Sequence, residues 1–204
     1  MSKILLVDFD LEPRPDFQNL LPEIKVPRSY TKQESIDKYI LEATAKAATT
    51  AATNPYAGHA VMMAFKTLDA TSPEAGMTDN IQTIADFLGS LEQGTVLVGF
   101  GVREKLRVLI ATIARANLAG GGGQGSCLCY PRITQFLHST EGSVRSCAVD
   151  PVSWILGGLT AADSVDPVAF AKGIYGAKPV CRTAEDRLLL CEKVVTDFGL
   201  SEVL

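Results

Sequence analysis

Two spacings of apolar residues run through the chain, one suited to strands and one to helices. Residues 4–7 are an unbroken apolar run that leads into Asp8, Asp10 and Glu12, after which Pro13 and Pro15 stop a strand. Ile36, Tyr39, Ile40 and Ala43 fall at helical spacing in an Ala-, Glu- and Lys-rich stretch, which predicts a helix over 32–52 closed by the turn signal Asn54-Pro55. A short apolar run over 59–65 has strand length, and 69–77 reads as a loop. Ile81, Ile84, Ala85 and Leu88 predict a helix within 77–91, with Thr78 or Asp79 as its N-cap. Residues 94–100 are nearly all apolar, as in a strand covered on both faces. Leu106, Leu109, Ile110, Ile113 and Ala114 then mark an amphipathic helix over 104–118. Apolar runs follow at 133–138 and 148–156, and helices are predicted over 168–174 and 184–196.

Strands alternate with helices and no linker interrupts them, so the expected class is α/β, with residues 1–204 as one domain. The composition, 47% apolar and 21% charged, suits a globular chain with a sizeable core. A net charge of -4 gives no overall attraction to nucleic acid, so such a role needs a local basic patch. No segment is apolar over a membrane-spanning length, and the N-terminus lacks the pattern of a signal peptide. The expectation is a cytoplasmic protein without a membrane partner. The five cysteines, Cys127, Cys129, Cys147, Cys181 and Cys191, are an odd number, which favours reduced thiols. Only Cys127 and Cys129 are close, and their spacing is not that of a zinc site.

Asp10 and Glu12 lie two apart at the end of the first strand, so they point to one face. Neighbouring carboxylates repel unless a cation or a shared proton intervenes. Mg²⁺ or Mn²⁺ favours such oxygen ligands. An isolated Asp-x-Glu can equally cap a strand, with Asp8, Asp10 and Glu12 simply solvating a turn. Arg103, Lys105, Arg107 and Arg115 concentrate positive charge on one helix, where they would contact phosphates or form a solvated face. Gly120 to Gly125 reads as a flexible loop, because it follows a helix and lacks the Lys-Ser/Thr of a phosphate loop. His59 and His138 are isolated, and Trp154 has apolar neighbours that suit packing. Cys191 sits beside Glu192, which disfavours a thiolate.

Phe9-Asp-Leu-Glu-Pro-Arg-Pro-Asp16 resembles the first motif of the 3′→5′ exonucleases of the ribonuclease-H-like superfamily, closest to the proofreading type of B-family DNA polymerases. Residues 54–65 look like that family's second strand, entered through a Pro/Gly turn, and 79–109 like its helix, buried strand and second motif. The resemblance spans residues 3 to about 196. It implies a mixed central sheet flanked by helices, a nucleic-acid substrate, and carboxylates holding two divalent ions. Asp10 and Glu12 would be the catalytic, metal-binding pair, with Mg²⁺ or Mn²⁺ as cofactor, and Arg103, Lys105 and Arg107 would contact nucleic acid.

The chain departs from the pattern at both later motifs. Gly101 stands where the family has Asn, and Lys105 where the second motif has its metal-binding Asp. In the third motif Leu190 replaces the aromatic residue and Val194 the Asp, with Glu192, Asp186 and Asp197 as nearby carboxylates. Asp150 resembles an Asp of the family's central strand. One expectation is a metal-dependent 3′→5′ exonuclease in which Asp10 and Glu12 are helped by Glu104, Asp150 or a C-terminal carboxylate. Another is an inactive relative that binds single-stranded nucleic acid or a replication or repair partner, with Lys105 paired to Asp10 or Glu12 and no need of a metal. A third is an unrelated role for the fold.

Overall fold

The computed structural model describes residues 3–20, 24–68, 74–91, 94–119, 148–155, 166–176 and 179–200. Among these residues five strands form one mixed sheet: β1 (Ile4–Pro13), β2 (Gly58–Thr67), β3 (Ala75–Thr78), β4 (Val96–Val98) and β5 (Ala148–Val149), in the order β3-β2-β1-β4-β5. β1 runs parallel to β4, and β4 to β5, while β2 is antiparallel to both β1 and β3. The helices are α1 (Gln33–Ala52), α2 (Ile81–Ser90), α3 (Val102–Ala119), α4 (Pro151–Ile155), α5 (Pro167–Tyr175) and α6 (Ala184–Asp197), with a 3₁₀ turn at Phe17–Leu20. Among the described residues no helix is long and apolar enough to cross a membrane.

The sheet is buried on both faces because β1 alternates between two cores. Leu5, Val7 and Phe9 join Ile84, Leu88, Leu106 and Leu109 of α2 and α3 in one. Ile4 and Leu6 join Val152, Ala171, Leu188, Cys191 and Val194 of α4, α5 and α6 in the other. Strands covered on both sides read as continuous apolar runs, which explains the pattern of 4–7 and 96–98.

In β2 the alternation breaks. Asp10 pairs with Met62 but Leu11 with Ala60, so Val61 is an extra residue, a β-bulge. Ala60 and Met63, three apart, therefore both reach the same core. Thr112 of α3 secures this point: its buried hydroxyl accepts the Ala60 N–H at 3.1 Å and donates to the Val108 carbonyl at 2.9 Å.

Most predicted elements stand close to their expected bounds. β3 is a strand where a loop was expected, its four residues pairing with Met63–Lys66. The N-cap of α2 is Asn80, whose side chain accepts the N–H groups of Gln82 and Thr83, rather than Thr78 or Asp79. The run over 148–156 divides into β5 and α4, and Pro151 marks the change. Cys127, Cys129, Cys147, His138, the glycine-rich stretch, the apolar run over 133–138 and the side chain of Trp154 lie outside the described residues.

Candidate functional site

Because β1, β4 and β5 are parallel, their carboxyl ends share one edge of the sheet, the edge at which α/β sheets commonly place ligands. β1 extends well past its pairing with β4, which covers only Ile4–Leu6. On this overhang stand Asp8 and Asp10, on the face that Leu6 shares. From β4 the chain passes through Gly99-Phe-Gly101 into α3. Gly99 is required here, since a Cβ would stand 2.1 Å from the Val7 carbonyl oxygen. Gly101 takes a left-handed φ of 57°. Its N–H donates to Asp150 Oδ2 at 2.7 Å, and Asp150 Oδ1 accepts the Val152 N–H at 2.9 Å. Asp150 thus ties the β4–α3 turn to the start of α4.

The centre of the site is Asp8, whose side chain is only 2% exposed. Lys105, in the first turn of α3, donates to both of its oxygens, at 2.9 Å to Oδ1 and 2.8 Å to Oδ2. Arg187, in the first turn of α6, donates through Nε to Asp8 Oδ1 at 2.8 Å. The Nη2 of Arg187 also reaches the Phe9 carbonyl at 3.0 Å and Asp10 Oδ1 at 2.7 Å. Two carboxylates and two cations therefore form a nearly closed, neutral network joining β1, α3 and α6.

Isolated, a buried Asp8 would be costly; with two cations and several hydrogen bonds its charge is compensated. Burial pushes the Lys105 ammonium below its ordinary value, opposed by the pull of Asp8. Burial also lowers Arg187, but Asp8 and Asp10 outweigh it and the net direction is up. Burial pushes the Cys191 thiol well up, with Asp8 and Asp150 adding to the effect, which leaves it a packing residue.

The residues singled out in the sequence fall into distinct places. Asp10 belongs to the network through Arg187. Glu12 is exposed and lies across from His59 of β2, so the carboxylates brought together by a common partner are Asp8 and Asp10, not Asp10 and Glu12. Lys105 pairs with Asp8 rather than with Asp10 or Glu12. Arg103 donates to the Ala148 carbonyl at 3.3 Å, and Arg107 is exposed. Glu104 is also exposed. Glu192 pairs with Lys66 at 2.6 Å, Asp186 closes the capping box of α6, and Asp197 holds Tyr175 and Lys193. Leu190 and Val194 are buried in the core.

This donor set does not fit a divalent ion. Both oxygens of Asp8 already face cations, and a metal beside them would meet two further positive charges. Among the described residues no three His, Cys, Asp or Glu side chains converge as a cation-binding group.

The sequence by itself offers no role for Arg187 and reads Asp8 only as capping its strand or solvating a turn. Both had a signal. Asp8 sits between Val7 and Phe9 in an apolar strand, where a charge needs a partner. Arg187 precedes Cys191 and Val194 by four and seven residues, which puts it on the buried stripe of its helix.

No protein-family model matches the chain, and no curated protein and no solved structure matches it.

Proposed function

We infer that this chain is a ribonuclease-H-like, exonuclease-type module that binds single-stranded nucleic acid without hydrolysing it. The observation that carries the inference is the double contact of the Lys105 ammonium with the Asp8 carboxylate. Hydrolysis of the family's kind depends on carboxylates free to hold two metal ions. Here Lys105 and Arg187 supply two positive charges in their stead, and they hold the carboxylates in a closed set of ion pairs. The mixed sheet with helices on both faces is compatible with the resemblance in the first motif. Arg107, exposed on the helix that carries Lys105, offers a cation for a phosphate.

The test is a fluorescently labelled single-stranded oligonucleotide, followed for both anisotropy and length, in Mg²⁺, in Mn²⁺ and in EDTA. Binding of equal strength in all three, with the oligonucleotide intact, is the expected result. Shortening from the 3′ end that disappears in Asp8→Ala would show a working metal site and overturn the inactive reading. Absence of binding in every condition would overturn the nucleic-acid reading itself.

A further inference from the structure

The turn that leads from α1 into β2 holds a side chain that the ion-pair network does not explain. Each carbonyl from Asn54 to Gly58 accepts a hydrogen bond. Asn54 takes the N–H groups of Ala57 and Gly58, and Ala57 takes the N–H of Arg14. The Pro55 carbonyl accepts from Arg115 Nη1 at 2.8 Å, the Tyr56 carbonyl from Arg14 Nη1 at 3.2 Å, and the Gly58 carbonyl from Arg115 Nη2. Asn54 Oδ1 in turn accepts the Tyr56 N–H at 2.8 Å. The remaining donors of the Arg14 fork lie on Asp16.

At the tip of this fastened turn, Tyr56 is 84% exposed. Exposed loop tips are usually small, polar and mobile. Here two arginines and an asparagine fix the backbone of a large ring that remains in solvent. An aromatic side chain on a fixed backbone loses little entropy when something binds it.

We propose that Tyr56 is a stacking platform for an unpaired base, a proposal that rests on the single-strand-binding reading above. The turn follows directly on the pairs Glu12–His59 and Pro13–Gly58, so it lies at the same end of β1 as Asp10. A nucleobase suits the position better than an aliphatic side chain of a protein partner. The groups that fasten the turn are charged or polar, Arg14 with Asp16, Asn54 and Arg115, whereas the core of a protein interface is depleted of charged residues. A base needs only a π-face and leaves its polar edges in water. Arg14 is neutralised by Asp16, so this contact is governed by stacking and adds little to the salt dependence of binding.

The experiment uses a short single-stranded oligonucleotide carrying 2-aminopurine, whose fluorescence falls when it stacks. It is titrated into the wild type, Tyr56→Phe and Tyr56→Leu, each checked by circular dichroism. The wild type and Tyr56→Phe should quench the probe. Tyr56→Leu should lose the quenching and bind roughly tenfold more weakly, the ordinary size of one base–aromatic contact, with the salt slope unchanged. If Tyr56→Leu quenches and binds like the wild type, the stacking site is overturned while the single-strand reading stands. If the wild type binds no oligonucleotide, that reading fails and the stacking site falls with it.

Discussion

Lys105 and Asp8 lie 97 residues apart in the chain and meet with the ammonium of one between the two carboxylate oxygens of the other. Together with Arg187 and Asp10, this pair joins three elements that local sequence does not connect. The consequences can be measured residue by residue.

Asp8→Ala should destabilise the protein by about 3 kcal/mol, because it leaves Lys105 without its carboxylate and Arg187 with only Asp10. Asp10→Ala should cost about 1 kcal/mol, since Arg187 then keeps Asp8. Glu12→Ala should change stability by less than about 0.5 kcal/mol, as is usual for an exposed site. Urea denaturation of the three variants gives the order directly. A cost at Glu12 equal to that at Asp8 would mean that the carboxylates are not arranged as described.

The pH dependence of Lys105 has a definite sign. Burial holds its pKa below the ordinary 10.5, so in the interval just under 10.5 the unfolded chain carries more protons than the native one. Stability rises with pH wherever the unfolded state binds more protons. The stability of the wild type relative to Lys105→Met should therefore increase as pH is raised through that interval. Urea midpoints measured at several alkaline pH values test this, and a relative loss of stability would point to a raised pKa instead.

Thr112→Val removes the acceptor of the Ala60 N–H beside the β-bulge and leaves a buried donor unpaired. A loss of about 1–3 kcal/mol is expected. Hydrogen exchange of the Ala60 amide should accelerate more than that of Met63, two strand positions beyond the bulge. Equal acceleration throughout β2 would show a global effect rather than a local one.

Gly99→Ala would place a methyl 2.1 Å from the Val7 carbonyl, a contact that backbone atoms cannot avoid without moving β1 or β4. This should be among the most destabilising single substitutions, costing upwards of about 4 kcal/mol. Gly173→Ala, where nothing lies within 4 Å of the added methyl, is the matching control in a thermal melt.

The fold was more legible than the site, for a physical reason. Apolar spacing is a local property, and Leu106, Leu109 and Ile113 announce α3 without reference to any other segment. β3 escaped because Ala75–Thr78 is short and half exposed, so pairing with β2 rather than apolar content makes it a strand. Lys105 was legible as an anomaly at a carboxylate position, but its partner was not. Asp8, Asp10 and Glu12 share one face, and choosing among them requires knowing that Arg187 of α6 crosses β1 at Asp8. Arg115 reads in the sequence as a phosphate contact or solvated charge, yet it and Arg14 spend donors on backbone carbonyls of the 54–58 turn. Donor geometry of that kind leaves no trace in spacing.

The most direct test of the central claim is a Mn²⁺ titration followed by electron paramagnetic resonance, with wild type and Asp8→Ala compared. The wild type should hold no more Mn²⁺ than Asp8→Ala, because Lys105 and Arg187 already occupy the carboxylates. Stoichiometric Mn²⁺ uptake by the wild type that is lost in Asp8→Ala would contradict it.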